Sequence, residues 1–251
     1  MDFATHLRHL VAHGQALADS AAAAGLDTPV PTCPEWTVRD LVTHQSQVHR
    51  WARSYVAAGR TTPPSDDDVL AKPPTDDSEL LDWFRTGHEE LAASLRDAPA
   101  DLDCWSFLPA PSPREFWARR QAHETTIHRV DADRAAGRTT EIDPMLAADG
   151  ISELLRGFFA RARGSLVSNP PRKLTVVTAD VGAAWTMTIG PDRRTTSSGA
   201  DSDADADVTI TGDAADLYLL LWNRAGRERI SVNGDESLLD LWRDRAQIRW
   251  R

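Results

Sequence analysis

Apolar positions in the first half of the chain recur at helical spacing. Phe3, Leu7, Leu10 and Leu17 make one stripe of a first helix, the pattern of a face that buries itself against neighbours. Gly14 falls on that stripe, where a missing Cβ marks a close helix–helix approach. The segment PTCPEW ends this helix and positions Trp36. Thr37, with Asp40 three residues later, forms an imperfect capping box for a second helix reaching about Ala58. Its inward positions are Val38, Leu41, Val48, Ala52 and Val56. The proline- and acid-rich TTPPSDDDVLAKPPTDD reads as a loop before a third helix over roughly Ser78–Asp97, which carries Leu80, Leu81, Trp83, Phe84 and Leu91. Ser112-Pro113-Arg114-Glu115 then supplies an N-cap, a proline at the first helical position and a glutamate at the third. The fourth helix extends to about Ala136 and stops at Gly137. Four amphipathic helices predict a four-helix bundle.

Beyond Asn169-Pro170-Pro171 the period shortens. LTVVTA, AWTMTI and DVTITG alternate as half-buried strands do, with Ile189-Gly190-Pro191-Asp192 as a turn. A fifth helix over roughly Pro144–Arg163 precedes them. Helices over Asp213–Arg224 and Asp235–Arg245 flank a strand in RISVNG. The expected architecture is α plus α+β: residues 1–145 form a four-helix bundle, and residues 146–251 a small antiparallel α+β domain with helices on one face.

Composition narrows the function. With 251 residues, 41% hydrophobic and 26% charged, the chain is an ordinary globular one rather than a disordered one. A net charge of −10 argues against non-specific nucleic-acid binding. That charge is uneven, −9 over residues 1–145 and −1 over residues 146–251, as for two domains. No apolar run reaches the roughly 18 residues of a membrane span. The start, MDFATHLRHL, has neither the basic nor the apolar region of a secretory leader, and Cys33 and Cys104 make no disulfide framework. A cytoplasmic monomer or homodimer acting on small molecules is expected, without nucleic-acid or membrane partners.

All eight histidines and both cysteines precede residue 130, so imidazole or thiolate chemistry belongs to the bundle. The fourth helix contains HETTIH. His123 and His128 are five residues apart, about 140° around a helix, and this excludes the zinc-protease arrangement in which two histidines four apart share a face. Glu124 and His128 are the pair that faces one way, about 40° apart. They lie on a stripe with Trp117, Gln121 and Asp131. The pair reads either as metal ligands projecting into the bundle or as a solvated i,i+4 pair. A third ligand has several sources. His44 and His49 lie on different faces of the second helix, so one of them suffices, and His49 is closer to the apolar stripe, where a core histidine would also sit. His6, His9 and His13 form a stripe that binds metal or simply flanks the apolar face. His88, in GHEE, is expected at the surface. Trp36 and Trp51 either wall a pocket or belong to the core. Cys33 has no second cysteine at zinc-finger spacing, and the Asp201–Asp207 alternation lacks the glycine and glutamate of a calcium loop, which leaves a solvated turn.

PTCPEWTVRDLVTHQSQVHRW followed some eighty residues later by HETTIHRVDA, with ADVTITGDAADLYLLLWNR near the end, resembles the mycothiol-dependent maleylpyruvate isomerase family. The resemblance implies a DinB-like metal-binding bundle followed by a small domain related to sterol-carrier folds. It implies further that His44, Glu124 and His128 hold a divalent metal, usually zinc, and that mycothiol is the thiol cosubstrate. Three protein donors leave a catalytic zinc one open position. A thiol entering it loses its proton, and the thiolate either isomerises an activated double bond by adding and leaving or stays attached as an S-transfer product. Arg224, at the end of LYLLLWNR, is the candidate for gripping a substrate carboxylate. Two other readings stand beside this one: a binding module that keeps the metal ligands without catalysis, and a metal-dependent hydrolase.

Overall fold

The bundle begins where Asp2 accepts the Thr5 amide at 2.8 Å and caps α1, Phe3–Ala24. The computed structural model describes residues 1–65, 70–161, 164–199 and 205–248, in two units, Met1–Thr140 and Glu141–Arg251. In the first unit α2 spans Val38–Ala58, α3 Leu80–Asp97 and α4 Pro113–Ala135. Asp40 completes the capping box of α2, accepting the Thr37 amide at 2.8 Å, while its own amide reaches the Thr37 hydroxyl at 3.4 Å. Aspartate is short for this role, yet it closes the box in both directions. At the start of α4, Ser112 Oγ accepts the Glu115 amide at 3.2 Å ahead of Pro113.

Helix α1 packs along α4 and α2 along α3, while α1–α3 and α2–α4 contacts close the ring. Helix α4 lacks the one-sided pattern of its neighbours. From Phe116 to Asp133 it is buried nearly all round, polar residues included. Two apolar clusters bracket its middle. Leu17, Val38, Leu41, Phe84 and Ala132 belong to an aliphatic cluster. Trp51, Tyr55, Trp105, Phe107, Phe116 and Trp117 stack edge-on and face-on at centroid separations of 4.8 to 6.4 Å. Trp51 thus packs, half-buried, in this aromatic cluster. Between these clusters α2 carries His44, Gln45, Ser46 and His49 among its residues, and α4 the stretch from Arg120 to His128. The fold therefore sets a polar layer between two apolar ones.

Gly14 does mark a close approach. A Cβ there would lie 2.2 Å from the His88 ring. The expectation that His88 is exposed is wrong. It is 3% exposed, stacked on Phe84 with the rings 7° from parallel. Its charged neighbours in GHEE point elsewhere on the helix, so local polarity misled.

In the second unit α5, Pro144–Ser152, passes into a π-helical turn, Glu153–Phe158, instead of continuing to Arg163; Arg163 lies outside the described residues. Beyond the helix end Arg194, 3% exposed, donates to the carbonyls of Phe159 at 2.7 Å, Leu166 at 2.9 Å and Arg161, so three carbonyls that follow the helix find a donor. The sheet comprises β1 (Arg172–Thr178), β2 (Ala184–Ile189), β3 (Arg194–Gly199), β4 (Val208–Gly212) and β5 (Ser231–Gly234), in the order β3-β2-β1-β4-β5. Helices α6 (Ala214–Leu221) and α7 (Ser237–Arg245) complete the unit.

Two details depart from the expected antiparallel domain. The β1–β4 pairing is parallel, Leu174 opposite Val208, while the other three pairings are antiparallel. Strand β3, RTTSSG, lacks the apolar alternation that reveals a strand; its backbone pairing with β2 holds it. Of the Asp201–Asp207 alternation, residues 201–204 lie outside the described residues.

Candidate metal centre

The three side chains singled out in the bundle converge. A nitrogen of His44, a nitrogen of His128 and a carboxylate oxygen of Glu124 lie within 4.8 Å of one another. Glu124 Oε1 is 3.5 Å from His44 Nε2 and 3.4 Å from His128 Nε2. Both separations exceed an ordinary hydrogen bond. They match the spacing of two donors on one tetrahedral zinc, about 3.3–3.4 Å for bond lengths near 2.0–2.1 Å. Glu124 and His128 are nearly buried, at 6% and 9% side-chain exposure, while His44 is open to 22%.

Each donor is held from behind. Arg120, one turn before Glu124 and 1% exposed, donates to Glu124 Oε2 at 2.9 Å and leaves Oε1 to face the imidazoles. Burial opposes charge on Glu124, but contacts with His128 and His44 and the guanidinium of Arg120 outweigh it and hold the carboxyl well below its usual range. Asp131 Oδ2 lies 3.0 Å from His128 Nδ1. A proton on Nδ1 leaves the Nε2 lone pair directed at Glu124. Burial pulls the His128 pKa down, yet Asp131 and Glu124 together raise it. The Trp36 ring stacks 5.9 Å from the His128 ring and tilts over His44 at 5.0 Å, so Trp36 walls the site.

The other histidines stand apart from this group. His49 is fully buried, with Nε2 at 2.8 Å from Gln45 Nε2 and 2.9 Å from Thr125 Oγ1. His6 and His13 are buried on α1, and His13 Nδ1 lies 3.1 Å from Arg129. His123 faces α1, its ring 6.0 Å from that of His6. Arg224 follows α6 in the second unit, half-buried, and donates to the Trp222 carbonyl at 3.0 Å; the helix expected to include it ends at Leu221. Sequence reasoning missed Arg120. The signal was present, since Arg120, Glu124 and His128 follow one another at steps of four, but an arginine is ordinarily read as surface.

Residues 7–133 match the family model of the mycothiol maleylpyruvate isomerase N-terminal domain, and residues 145–241 that of the C-terminal domain. The fold is that of a mycothiol-dependent maleylpyruvate isomerase solved by crystallography: TM-score 0.58 at 14% identity, over 92% of this chain and 93% of that one. A mutant of a mycothiol-dependent maleylpyruvate isomerase gives 0.61 at 12% identity, over the same shares. Two uncharacterised proteins of Mycobacterium tuberculosis are each 28% identical over 145 residues, 55% of this chain and 69% of theirs. Among the described residues no helix is long and apolar enough to cross a membrane.

Proposed function

Since this chain belongs to the mycothiol maleylpyruvate isomerase family, an enzyme family, we propose that it is a mycothiol-dependent metalloenzyme acting on a small electrophile. His44, Glu124 and His128 would hold a divalent metal, with zinc the first candidate. The observation that carries this reading is the meeting of two imidazole nitrogens and one carboxylate oxygen at zinc-like separations. The same donor set suits nickel, iron or cobalt. When bound, the cation supplies the positive charge that favours thiolate over thiol at neutral pH.

The residues of the chain perform the rest. Glu124 brings one negative charge, and Arg120 balances its far oxygen. Asp131, 3.0 Å from His128 Nδ1, would keep the proton of that ring on Nδ1, and Trp36, lying over both imidazoles, would limit the water reaching them. A thiolate delivered here adds to one carbon of an activated cis double bond. Rotation about the resulting single bond and departure of the thiolate give the trans isomer, with no net change in atoms. If the thiolate stays and the substrate's carbanion takes a proton, the outcome is S-transfer instead. A hydrolase would need Glu124 as general base, a role at odds with its contacts to both imidazoles. A closed, non-catalytic site would need a fourth protein donor, and His49, the nearest candidate in sequence, is engaged by Gln45 and Thr125.

Metal analysis of wild type and His44→Ala, joined to mass spectrometry after incubation with mycothiol and maleylpyruvate, tests the proposal. Wild type should carry about one metal per chain and His44→Ala much less. Equal content in the two would overturn the triad. Fumarylpyruvate formation supports isomerisation, a stable thiol adduct supports transfer, and turnover without mycothiol refutes both.

A further inference from the structure

The segment between α1 and α2 is a closed turn rather than a loose connection. Pro29 and Thr37 form a β-bridge, Val30 N donates to the Trp36 carbonyl at 2.9 Å, and Trp36 N to the Cys33 carbonyl at 2.8 Å. Any displacement of Thr32 or Cys33 is therefore transmitted to Trp36, the ring lying over His44 and His128. One carboxylate ties this turn to α4. Asp131, completely buried, accepts the Thr32 hydroxyl on Oδ1 at 2.5 Å, while its Oδ2 receives the Cys33 thiol at 3.8 Å and faces His128 Nδ1 at 3.0 Å. Both carboxylate oxygens are thus divided between a candidate metal ligand and the turn that walls the site.

We infer that Asp131 is a positioning residue that couples metal binding at His128 to the ordering of the Val30–Thr37 turn, so that metal occupancy controls the accessibility of Cys33. The inference rests on the metal reading above. Coupling of this kind is reciprocal: whatever the metal does to the turn, loosening the turn does to metal affinity. Cys33 is half-buried and suits a reporter, whereas Cys104 is buried with its thiol pushed up by that burial and reacts slowly.

Zinc affinity is measured by chelator competition in wild type, Asp131→Asn, Thr32→Val and Cys33→Ser. The DTNB reaction rate at Cys33 is followed by peptide mass spectrometry with and without zinc, and thermal unfolding of each metal-free chain is recorded. Asp131→Asn should weaken zinc binding about 10–100-fold. Thr32→Val, which leaves the His128–Asp131 contact intact, should weaken it roughly 2–10-fold. Zinc should slow DTNB at Cys33 in wild type and lose that effect in both variants, while Cys33→Ser, which keeps a donor for Asp131 Oδ2, stays within about twofold of wild-type affinity. A purely structural role would lower the unfolding temperature without changing zinc affinity, and that result overturns the coupling. If wild type holds no zinc, the metal reading falls and this inference with it. If wild type holds zinc and Asp131→Asn holds it equally, only the inference falls. Loss of zinc in Cys33→Ser, with a thiolate charge-transfer band in the cobalt form, would make Cys33 a ligand and also overturn it. Should Asp131→Asn fail to fold, Thr32→Val at its half-buried site decides the question.

Discussion

Replacing Arg120 by methionine isolates the charge behind Glu124. The two side chains are 1% and 6% exposed and meet at 2.9 Å, so neither is rescued by water. Methionine fills most of the arginine's volume, which keeps the cavity contribution small. What remains is a buried carboxylate whose Oε2 has lost its guanidinium while His44 and His128 still face Oε1, and removing one partner of a buried pair costs up to about 3–5 kcal/mol. For a chain of this size that corresponds to a fall in Tm of roughly 6–20 °C in the metal-free protein. Thermal unfolding at neutral pH in the presence of a chelator reads it directly. Adding zinc should recover much of the loss, because a cation at Oε1 replaces the missing positive charge and binding stabilises by mass action, about 2.7 kcal/mol at a hundredfold excess over Kd. In Arg120→Met combined with Glu124→Gln, the amide needs no counter-charge, so the double variant should be more stable than Arg120→Met alone. Metal-free Arg120→Met unfolding within about 1 kcal/mol of wild type, or a double variant whose cost is the sum of its parts, would refute the reasoning.

Acid should destabilise the metal-free chain through the core. The pKa of His49 is pushed far below the ordinary histidine value by burial and by the nearby His88, with Glu124 opposing and Arg50 and His128 adding to the fall; His88 is lowered by burial against the Val11 carbonyl and Glu89. Both folded values lie below the unfolded one, so this stability is present above about pH 6.5 and disappears as pH falls through the folded values, by up to about 1.4 kcal/mol per pH unit for each histidine. Urea midpoints measured from pH 8 to 5 should show that slope, and His88→Phe should flatten it; an unchanged slope would sink the assignment. Gly14→Ala would place a Cβ 2.2 Å from the His88 ring, and the stacking on Phe84 prevents an easy escape. Overpacking should outweigh the gain in helix propensity and destabilise by about 1–2 kcal/mol; an equal or higher urea midpoint would show that His88 relocates. Arg194→Met strips a donor from two buried carbonyls and a part-buried one. Its expected cost, about 3–5 kcal/mol, is measurable by circular dichroism, and a loss under about 1 kcal/mol would show that water replaces the guanidinium.

Much of the bundle was legible because its signals are local. Thr37, Ser112 and Gly137 bound helices through their own backbone chemistry, and helix geometry alone turned attention from His123 to Glu124 as the companion of His128. His44 was not legible that way. Periodicity left it level with His49, and family resemblance separated them; the structure now shows His49 turned toward Thr125 and His44 toward Glu124. The gaps have two causes. The charged neighbours of His88 suggest the surface, although Gly14, far away in sequence, makes room for its ring. Arg120 and β3 drew no reading because each is polar by composition, although their partners, Glu124 four residues on and the preceding strand β2, are close in sequence.

The four-residue steps from Arg120 to Glu124 to His128 have a thermodynamic consequence. Two of the three proposed donors travel on one helix and keep their mutual geometry however the bundle packs, so even a peptide of α4, held helical by a covalent staple, would retain a two-point chelate. The third donor arrives only when α2 seats against α4. The difference in metal affinity between that peptide and the folded chain is then a measure of helix docking in free-energy units. The same linkage means that a cation present during folding selects the one register in which His44 meets Glu124.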